Sequence, residues 1–229
     1  MFGNEKVFND VLAQEVLNDP ETGIEFTLLD PRATAKDIDS LISIAYKNKY
    51  YSVVVPQCFV KYARNQVDTK YSSALKVCTV VGFPLGSAQS KVKVVEAKTA
   101  IKNGANELDV MINLHKVKEG DYGYIKQEMN RIARISRKVV VKAIIETAYL
   151  TLDELEKVVH ALARTRIDFV MTCTGYAPLG ADIETAEKIM SILGKSHVKI
   201  KAAGGIKTKA QAENLFRVGV SRVGTSRIL

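Results

Sequence analysis

Short apolar runs alternate with amphipathic, helix-like segments along the whole chain. The runs that predict β-strands begin near Ile24, Tyr51, Leu75, Asn106, Lys138, Ile167, His197 and Ser221. Successive starts lie 24 to 32 residues apart, which is enough for a strand, a helix and two short loops. The pattern therefore predicts an α/β protein with eight β/α units. Eight such units favour a closed (β/α)8 TIM barrel that forms a single domain over residues 1–229.

A doubly wound open sheet is the alternative fold. It would usually contain fewer strands, and no G-x-G-x-x-G motif follows the first predicted strand. The two ends of the barrel are expected to be irregular. An extra N-terminal helix is predicted at about residues 4 to 18, and the eighth helix is expected to be very short or missing because few residues follow the eighth strand.

Helix signals support the division into β/α units. Three threonines occupy predicted N-cap positions, each followed three residues later by an acidic or amide side chain: Thr34, Thr151 and Thr208. In the segment 90–104 the predicted buried helix face consists of Val92, Val95, Ala97 and Ile101. Gly104 is expected to end that helix.

Composition limits the class of protein. The chain has 229 residues, of which 47% are hydrophobic and 25% are charged, so it can bury a substantial core. Its apolar runs are far shorter than the roughly 20 residues of a membrane-spanning helix, and the first residues lack a signal-peptide pattern. We therefore expect a cytoplasmic protein with no membrane partner. The three cysteines form no C-x-x-C pair and the three histidines are scattered, so no metal site is predicted.

The net charge of +8 and the pI near 9.3 raise the question of a nucleic-acid partner. The Lys and Arg residues are spread along predicted helix faces with acidic residues among them, and no basic run carries interleaved aromatic residues. The sequence thus predicts a solvated surface without a nucleic-acid partner, and a charge that suits attraction of anionic phosphorylated substrates to a pocket.

Three predicted strands carry charged residues at alternate positions, which should face the barrel lumen. Asp109 lies in one of these strands, Lys142 and Glu146 in the next, and Lys201 in the seventh. One interpretation is an internal salt-bridge network of these four residues that only fills the barrel. The other is an active site, because Asp109 and Lys201 lie toward the C-terminal ends of their strands. A desolvated lysine, or one near another cation, would have the lowered pKa that imine chemistry requires.

Glycine-containing loops follow the last two strands. They are AAGG at 202–205 and VGTS at 223–226. Glycine lets the backbone N–H groups approach an anion closely, and these two loops commonly bind phosphate in such barrels. The sequence therefore predicts a phosphorylated ligand.

Seven stretches together resemble the deoxyribose-phosphate aldolase family: IEFTLLDPRAT (24–34), VVGFPLG (80–86), GANELDVMIN (104–113), VKAIIET (141–147), MTCTG (171–175), VKIKAAGGIKT (198–208) and RVGTS (222–226). The resemblance implies a class I lyase that reversibly cleaves 2-deoxy-D-ribose 5-phosphate into D-glyceraldehyde 3-phosphate and acetaldehyde through a Schiff base. It also implies a role in deoxynucleoside catabolism, a homodimer, and no metal or organic cofactor.

The resemblance also assigns roles by position. Asp109 corresponds to the carboxylate that transfers protons, and Lys201 to the second lysine, which lowers the pKa of the nucleophile. Contacts to the substrate and its phosphate would come from Thr174, Gly175, Gly204, Gly205, Gly224 and Ser226. Arg227 stands where a second serine is usual, and its guanidinium could also hold a phosphate. The Schiff-base lysine of the family falls at Met171.

A thioether cannot form an imine, so the chain is predicted to be inactive or severely impaired. Met171 could be a single change in an otherwise competent enzyme. Alternatively, the chain is a non-catalytic family member that binds a sugar phosphate or a protein partner, which the further departures at Phe26, Val53 and Val55 favour. A third hypothesis is that Lys201 or Lys142 forms the imine instead.

Overall fold

The computed structural model describes residues 23–72 and 75–229. Their strands form one closed parallel barrel in which each strand pairs with the next and the eighth pairs with the first. The strands are β1 (Ile24–Thr27), β2 (Ser52–Val55), β3 (Lys76–Val81), β4 (Glu107–Met111), β5 (Val140–Ile144), β6 (Phe169–Met171), β7 (Lys199–Ala203) and β8 (Arg222–Thr225). Each begins within about two residues of its predicted start. The predicted (β/α)8 barrel is confirmed, and the open doubly wound sheet is excluded.

The helices form the outer layer of the barrel. They are α1 (Ala35–Lys47), α2 (Val60–Lys70), α3 (Ser90–Lys102), α4 (Leu114–Lys118), α5 (Tyr122–Ile135), α6 (Leu152–Leu162), α7 (Ile183–Leu193) and α8 (Lys209–Arg217). Both α4 and α5 follow β4, and no helix follows β8 in residues 226–229. The extra helix expected at about residues 4 to 18 lies outside the described residues. Among the described helices, none combines the length and the apolar character needed to cross a membrane.

The predicted helix starts are confirmed by reciprocal capping. At the start of α6 the Thr151 hydroxyl accepts from the Glu154 N–H at 3.2 Å, and the Glu154 carboxylate accepts from the Thr151 N–H at 2.8 Å. The same capping box starts α1 at Thr34 and α8 at Thr208. Local hydrogen bonding therefore fixes where these helices begin.

The predicted buried face of α3 is wrong at two positions. Val92 and Val95 are 49% and 63% exposed, whereas Lys93 is fully buried. The Lys93 ammonium donates to the Met111 carbonyl oxygen at 2.7 Å and pairs with Glu128 at 3.0 Å. A buried lysine is tolerated here because both partners compensate its charge, and helical spacing of apolar residues could not reveal those partners.

Candidate active site

A cavity of about 760 Å³ opens at the C-terminal ends of the strands, the end at which barrel active sites lie. All ten residues predicted for the site line it: Asp109, Met171, Thr174, Gly175, Lys201, Gly204, Gly205, Gly224, Ser226 and Arg227. The wall also includes Thr27 at the end of β1, the loop after it (residues 28–32), Phe83 and Tyr176. Residues that are distant in sequence thus meet in one chamber large enough for a phosphorylated sugar.

The floor of the cavity is a buried ionic cluster. The Lys201 ammonium lies 2.5 Å from Asp109 Oδ2 and 2.5 Å from Glu25 Oε2. The Lys142 ammonium lies 3.0 Å from Asp109 Oδ1 and 3.1 Å from Glu25 Oε2, and it also contacts the Glu107 carboxylate. All five side chains are at most 2% exposed. The side chains of Asp109, Lys142 and Lys201 therefore face the lumen, as strand alternation predicted.

This cluster sets the protonation states on the floor. Burial by itself would raise the pKa of Asp109, but Lys142 and Lys201 outweigh it and lower that pKa to about 2. Burial opposes the charged form of Lys201, yet Asp109 and Glu25 raise its pKa above the ordinary value. Lys142 behaves in the same way, with its pKa raised well above the ordinary value.

The expectation of a lowered lysine pKa is therefore wrong for Lys142 and Lys201. Sequence reasoning counted desolvation and like charge but missed the second carboxylate, Glu25, which lies 176 residues from Lys201. An amine held as ammonium has no lone pair for attack on a carbonyl group. This geometry does not favour the hypothesis that either lysine forms the imine.

Glu146 does not join the ionic cluster, contrary to the predicted four-residue network. Strand β5 ends at Ile144, and Glu146 takes a left-handed backbone conformation with φ of 50°. Its buried carboxylate instead accepts from the Thr174 N–H at 3.2 Å and from the Thr174 hydroxyl. Strict alternation ends with the strand, so Glu146 holds the loop after β6.

Met171 lies at the upper level of the lumen, directly beside Lys201 in the register of β6 and β7. Its side chain packs in a small apolar cluster with Met111, Ile144 and Ala203. Position 171 therefore combines apolar surroundings, access to the cavity and Lys201 as its neighbour on the next strand.

The predicted open geometry holds for the first glycine loop but not for Gly224, which is buried within β8. Gly204 and Gly205 have φ of +93° and +75°, a region in which residues with side chains are strained. At Gly224 a Cβ would lie 3.2 Å from Lys201 Cε. Glycine at this position therefore leaves room for the lysine stem.

Glu25, Cys78 and Asp109 place one ligand atom each within 4.8 Å of one another, as a metal site would. The Lys142 ammonium already contacts all three, at 3.1, 3.5 and 3.0 Å. Burial, and then the Asp109 charge, raise the pKa of the Cys78 thiol well above its ordinary value, which disfavours the thiolate that a metal needs. This set of side chains therefore fits a lysine better than a metal ion.

Two features of the site were missed from the sequence. Glu25 lies between the apolar residues of β1, so the same alternation of side chains along a strand predicts that it faces the lumen. Tyr176 donates from its hydroxyl to the Leu29 carbonyl oxygen at 3.2 Å, and its ring meets Phe83 edge-on with centroids 5.5 Å apart. These loop-to-loop contacts have no sequence signal.

Comparison with known proteins gives a consistent result. The sequence profile of the DeoC/LacD family aldolases matches residues 11–222. A deoxyribose-phosphate aldolase of Thermoanaerobacter sp. (strain X514) is 37% identical over 206 residues, covering 89% of this chain and 91% of the relative.

Solved structures agree with the sequence relatives. The aldolase QR15 superposes with a TM-score of 0.85 at 35% identity, covering 91% of each chain. The deoxyribose-phosphate aldolase of Aeropyrum pernix, described as a tetramer, superposes with a TM-score of 0.83 at 30% identity over 94% of this chain and 92% of the other.

Proposed function

Because the chain belongs to the DeoC/LacD family of aldolases, we propose that its cavity binds 2-deoxy-D-ribose 5-phosphate and that Met171 withholds the amine needed to cleave it. Class I aldolases are lyases that form an imine between a lysine and the carbonyl group of the substrate. The residues that the family resemblance assigns to the rest of such a site line this cavity. The chain is thus an aldolase that lacks its covalent nucleophile.

The observation that carries this proposal is the environment of position 171. A lysine there would be surrounded by Met111, Ile144 and Ala203, and its neighbour on the next strand would be Lys201. Desolvation and a neighbouring cation both lower a lysine pKa, so these apolar surroundings favour the neutral amine. The cavity would therefore activate a lysine at 171, whereas methionine fills the volume without reacting.

The other roles follow from the cluster on the floor. Asp109 and Lys201 line the cavity and share a contact of 2.5 Å. We assign them proton transfer to and from the substrate carbon and oxygen, with Glu25 and Lys142 fixing their positions. Thr174 and Gly175 would contact the sugar. Gly204, Gly205, Gly224, Ser226 and Arg227 would bind the phosphate through backbone N–H groups and a guanidinium.

The test is cleavage of 2-deoxyribose 5-phosphate by the protein and its Met171→Lys variant, in an assay coupled to glyceraldehyde 3-phosphate. Loss of a covalent nucleophile has cost about a millionfold in turnover elsewhere, so a gain of several orders of magnitude is expected. Met171→Leu is the matched control, since it keeps an apolar side chain and should stay inactive. Borohydride should trap the substrate on residue 171 of the lysine variant.

The outcomes separate the competing hypotheses. Activity in the lysine variant alone supports a disabled aldolase. Activity in both proteins would mean that another lysine forms the imine, and peptide mapping of the trapped adduct would identify it. If neither protein cleaves the sugar, the proposed chemistry is wrong.

A second candidate is a non-catalytic protein that binds a sugar phosphate. The retained glycine loops and Arg227 at the cavity rim favour it. Calorimetry should then detect deoxyribose 5-phosphate binding to the unaltered protein and much weaker binding of deoxyribose without phosphate. The proposed assembly is a homodimer, which light scattering after gel filtration would distinguish from a tetramer such as the one described for the Aeropyrum pernix relative.

A further inference from the structure

Positive charge is concentrated at the end of the barrel opposite the cavity. Because all eight strands are parallel, the segments that lead from each helix into the next strand meet at the N-terminal end. We call this surface the basic face. It comprises the exposed Lys and Arg side chains between the last two residues of each helix and the first residue of the following strand: Lys47, Lys49, Lys70, Lys76, Lys102, Arg134, Arg137, Lys138, Arg164, Arg166, Lys195 and Arg217.

Acidic residues do not balance this charge. In the described part of these segments, Asp168 is the one exposed acidic side chain, and its carboxylate accepts from the Val141 N–H at 2.8 Å. Among described residues, only Lys70 and Arg217 of the basic face have an acidic partner within 4.0 Å. Cations that are spread along the sequence therefore lie together at one end of the folded barrel.

Two further cations, Arg222 and Lys199, lie close together at the N-terminal end of the barrel. The Arg222 guanidinium lies 3.7 Å from the centroid of the Tyr51 ring. Burial, and then the nearby Arg222 charge, lower the pKa of Lys199. Repulsion between like charges is thus already present, and a bound anion would relieve it.

The character of the surface narrows the class of partner. Large exposed apolar side chains surround the cavity end and α3, and in the described residues only Tyr46, 46% exposed, lies on the basic face. Membrane-inserting and permanent protein interfaces usually present an apolar patch in addition to charge. Tyr46 packs on Tyr71 with centroids 4.7 Å apart, beside Lys47, Lys49 and Lys70. An aromatic ring flanked by cations is a platform for stacked bases.

We propose that the basic face binds the phosphate backbone of single-stranded nucleic acid. The proposal does not depend on aldolase chemistry, because the cavity lies at the other end of the barrel. The sequence alone indicates no nucleic-acid partner, because the cations are spread along the chain. The proposal rests instead on the position of these cations in the fold. Binding should be weakly sequence-dependent, because backbone contacts carry little base information.

The test is fluorescence anisotropy with a labelled 20-nucleotide single-stranded RNA at about 150 mM salt, where weak unspecific attraction is largely screened. The triple variant Lys138→Glu, Arg166→Glu, Lys195→Glu should bind at least tenfold more weakly. Because each neutralised phosphate contributes about −0.7 to the slope of log K against log salt, that slope should fall by about 2.

The matched control is Lys36→Glu, Lys61→Glu, Lys91→Glu. These exposed lysines lie at the starts of α1, α2 and α3, toward the cavity end, and their replacement changes the net charge equally. The control should bind RNA within about threefold of the unaltered protein. Thermal unfolding of both variants checks that each is folded.

Three results would overturn the proposal. The first is no RNA binding at about 150 mM salt. The second is an equal loss of RNA affinity in both triple variants, which would mean that net charge alone is responsible. The third is tighter binding to phosphatidylserine vesicles than to RNA with the same dependence on the basic face, because the partner would then be a membrane. Deoxyribose 5-phosphate binding should be unchanged in both variants. A negative result for RNA binding therefore leaves the proposed sugar-phosphate site untouched.

Discussion

Removal of the Lys142 ammonium should destabilise the protein severely. In a Lys142→Met variant, Glu25, Glu107 and Asp109 would remain buried in the lumen, with Lys201 as the remaining ammonium partner of Glu25 and Asp109. At 3.0 Å, the separation from Asp109, and an effective dielectric constant of about 20, one such pair gains about 5.5 kcal/mol before desolvation is counted. Removing one partner from a buried ion pair costs about 3–5 kcal/mol, a large part of the 5–15 kcal/mol that usually holds a domain together.

The measurement is urea unfolding followed by far-UV circular dichroism, since the chain contains no tryptophan. With a typical dependence of about 2–3 kcal/mol per molar urea, the midpoint should fall by 1 M or more.

Lys157→Met is the matched control. Lys157 pairs with Asp153 at 2.7 Å, but its side chain is 54% exposed, so solvent screens the pair and no measurable loss is expected. A loss below about 1 kcal/mol for Lys142→Met at pH 7, or one equal to that of the control, would refute the view that Lys142 neutralises the cluster.

Three further predictions concern the loops, the cluster and the helix caps. Gly180→Ala should weaken deoxyribose 5-phosphate binding at least tenfold by calorimetry, because its Cβ would lie 2.4 Å from the Gly204 carbonyl oxygen; Gly123→Ala, whose nearest contact is 3.5 Å, should leave binding unchanged. The pKa of Asp109 is lowered to about 2 in the folded protein, so its charged form stabilises the fold above pH 4, and this stabilisation should disappear as pH falls through 2. Acid unfolding of Asp109→Asn should lack this pH-dependent loss. An acid unfolding profile identical to that of the unaltered protein would contradict the assignment. Thr151→Ala should cost about 1 kcal/mol in urea unfolding through loss of the α6 cap, and no change would show that the capping hydrogen bonds contribute nothing.

Much of the fold could be predicted from the sequence because its signals are local. Strand starts, the three threonine caps and the inward direction of Asp109, Lys142 and Lys201 depend on alternation, helical period and hydrogen bonds within four residues. The residues assigned to the site by family resemblance all line the cavity. Their positions near the C-terminal ends of the strands were enough to predict that they meet, because in a barrel all these ends open into one cavity.

The sequence could not predict which charges meet across the barrel. Alternation fixes the face of a strand on which a side chain lies but not its distance from residues on other strands, so Glu25 was missed and Glu146 was placed wrongly. The sign of the Lys201 pKa shift depends on those distances, since burial and two carboxylates act in opposite directions. The buried position of Lys93 likewise depends on Glu128 and the Met111 carbonyl group.

The sequence by itself therefore determined the number and order of the strands and the lumen-facing direction of Asp109, Lys142 and Lys201. Only the tertiary structure decided which ionic groups pair, what protonation states they hold and where the excess positive charge lies. The physical reason is range: periodicity and capping act over a few neighbouring residues, whereas Coulomb interactions act through space between residues that the barrel brings together from distant parts of the chain.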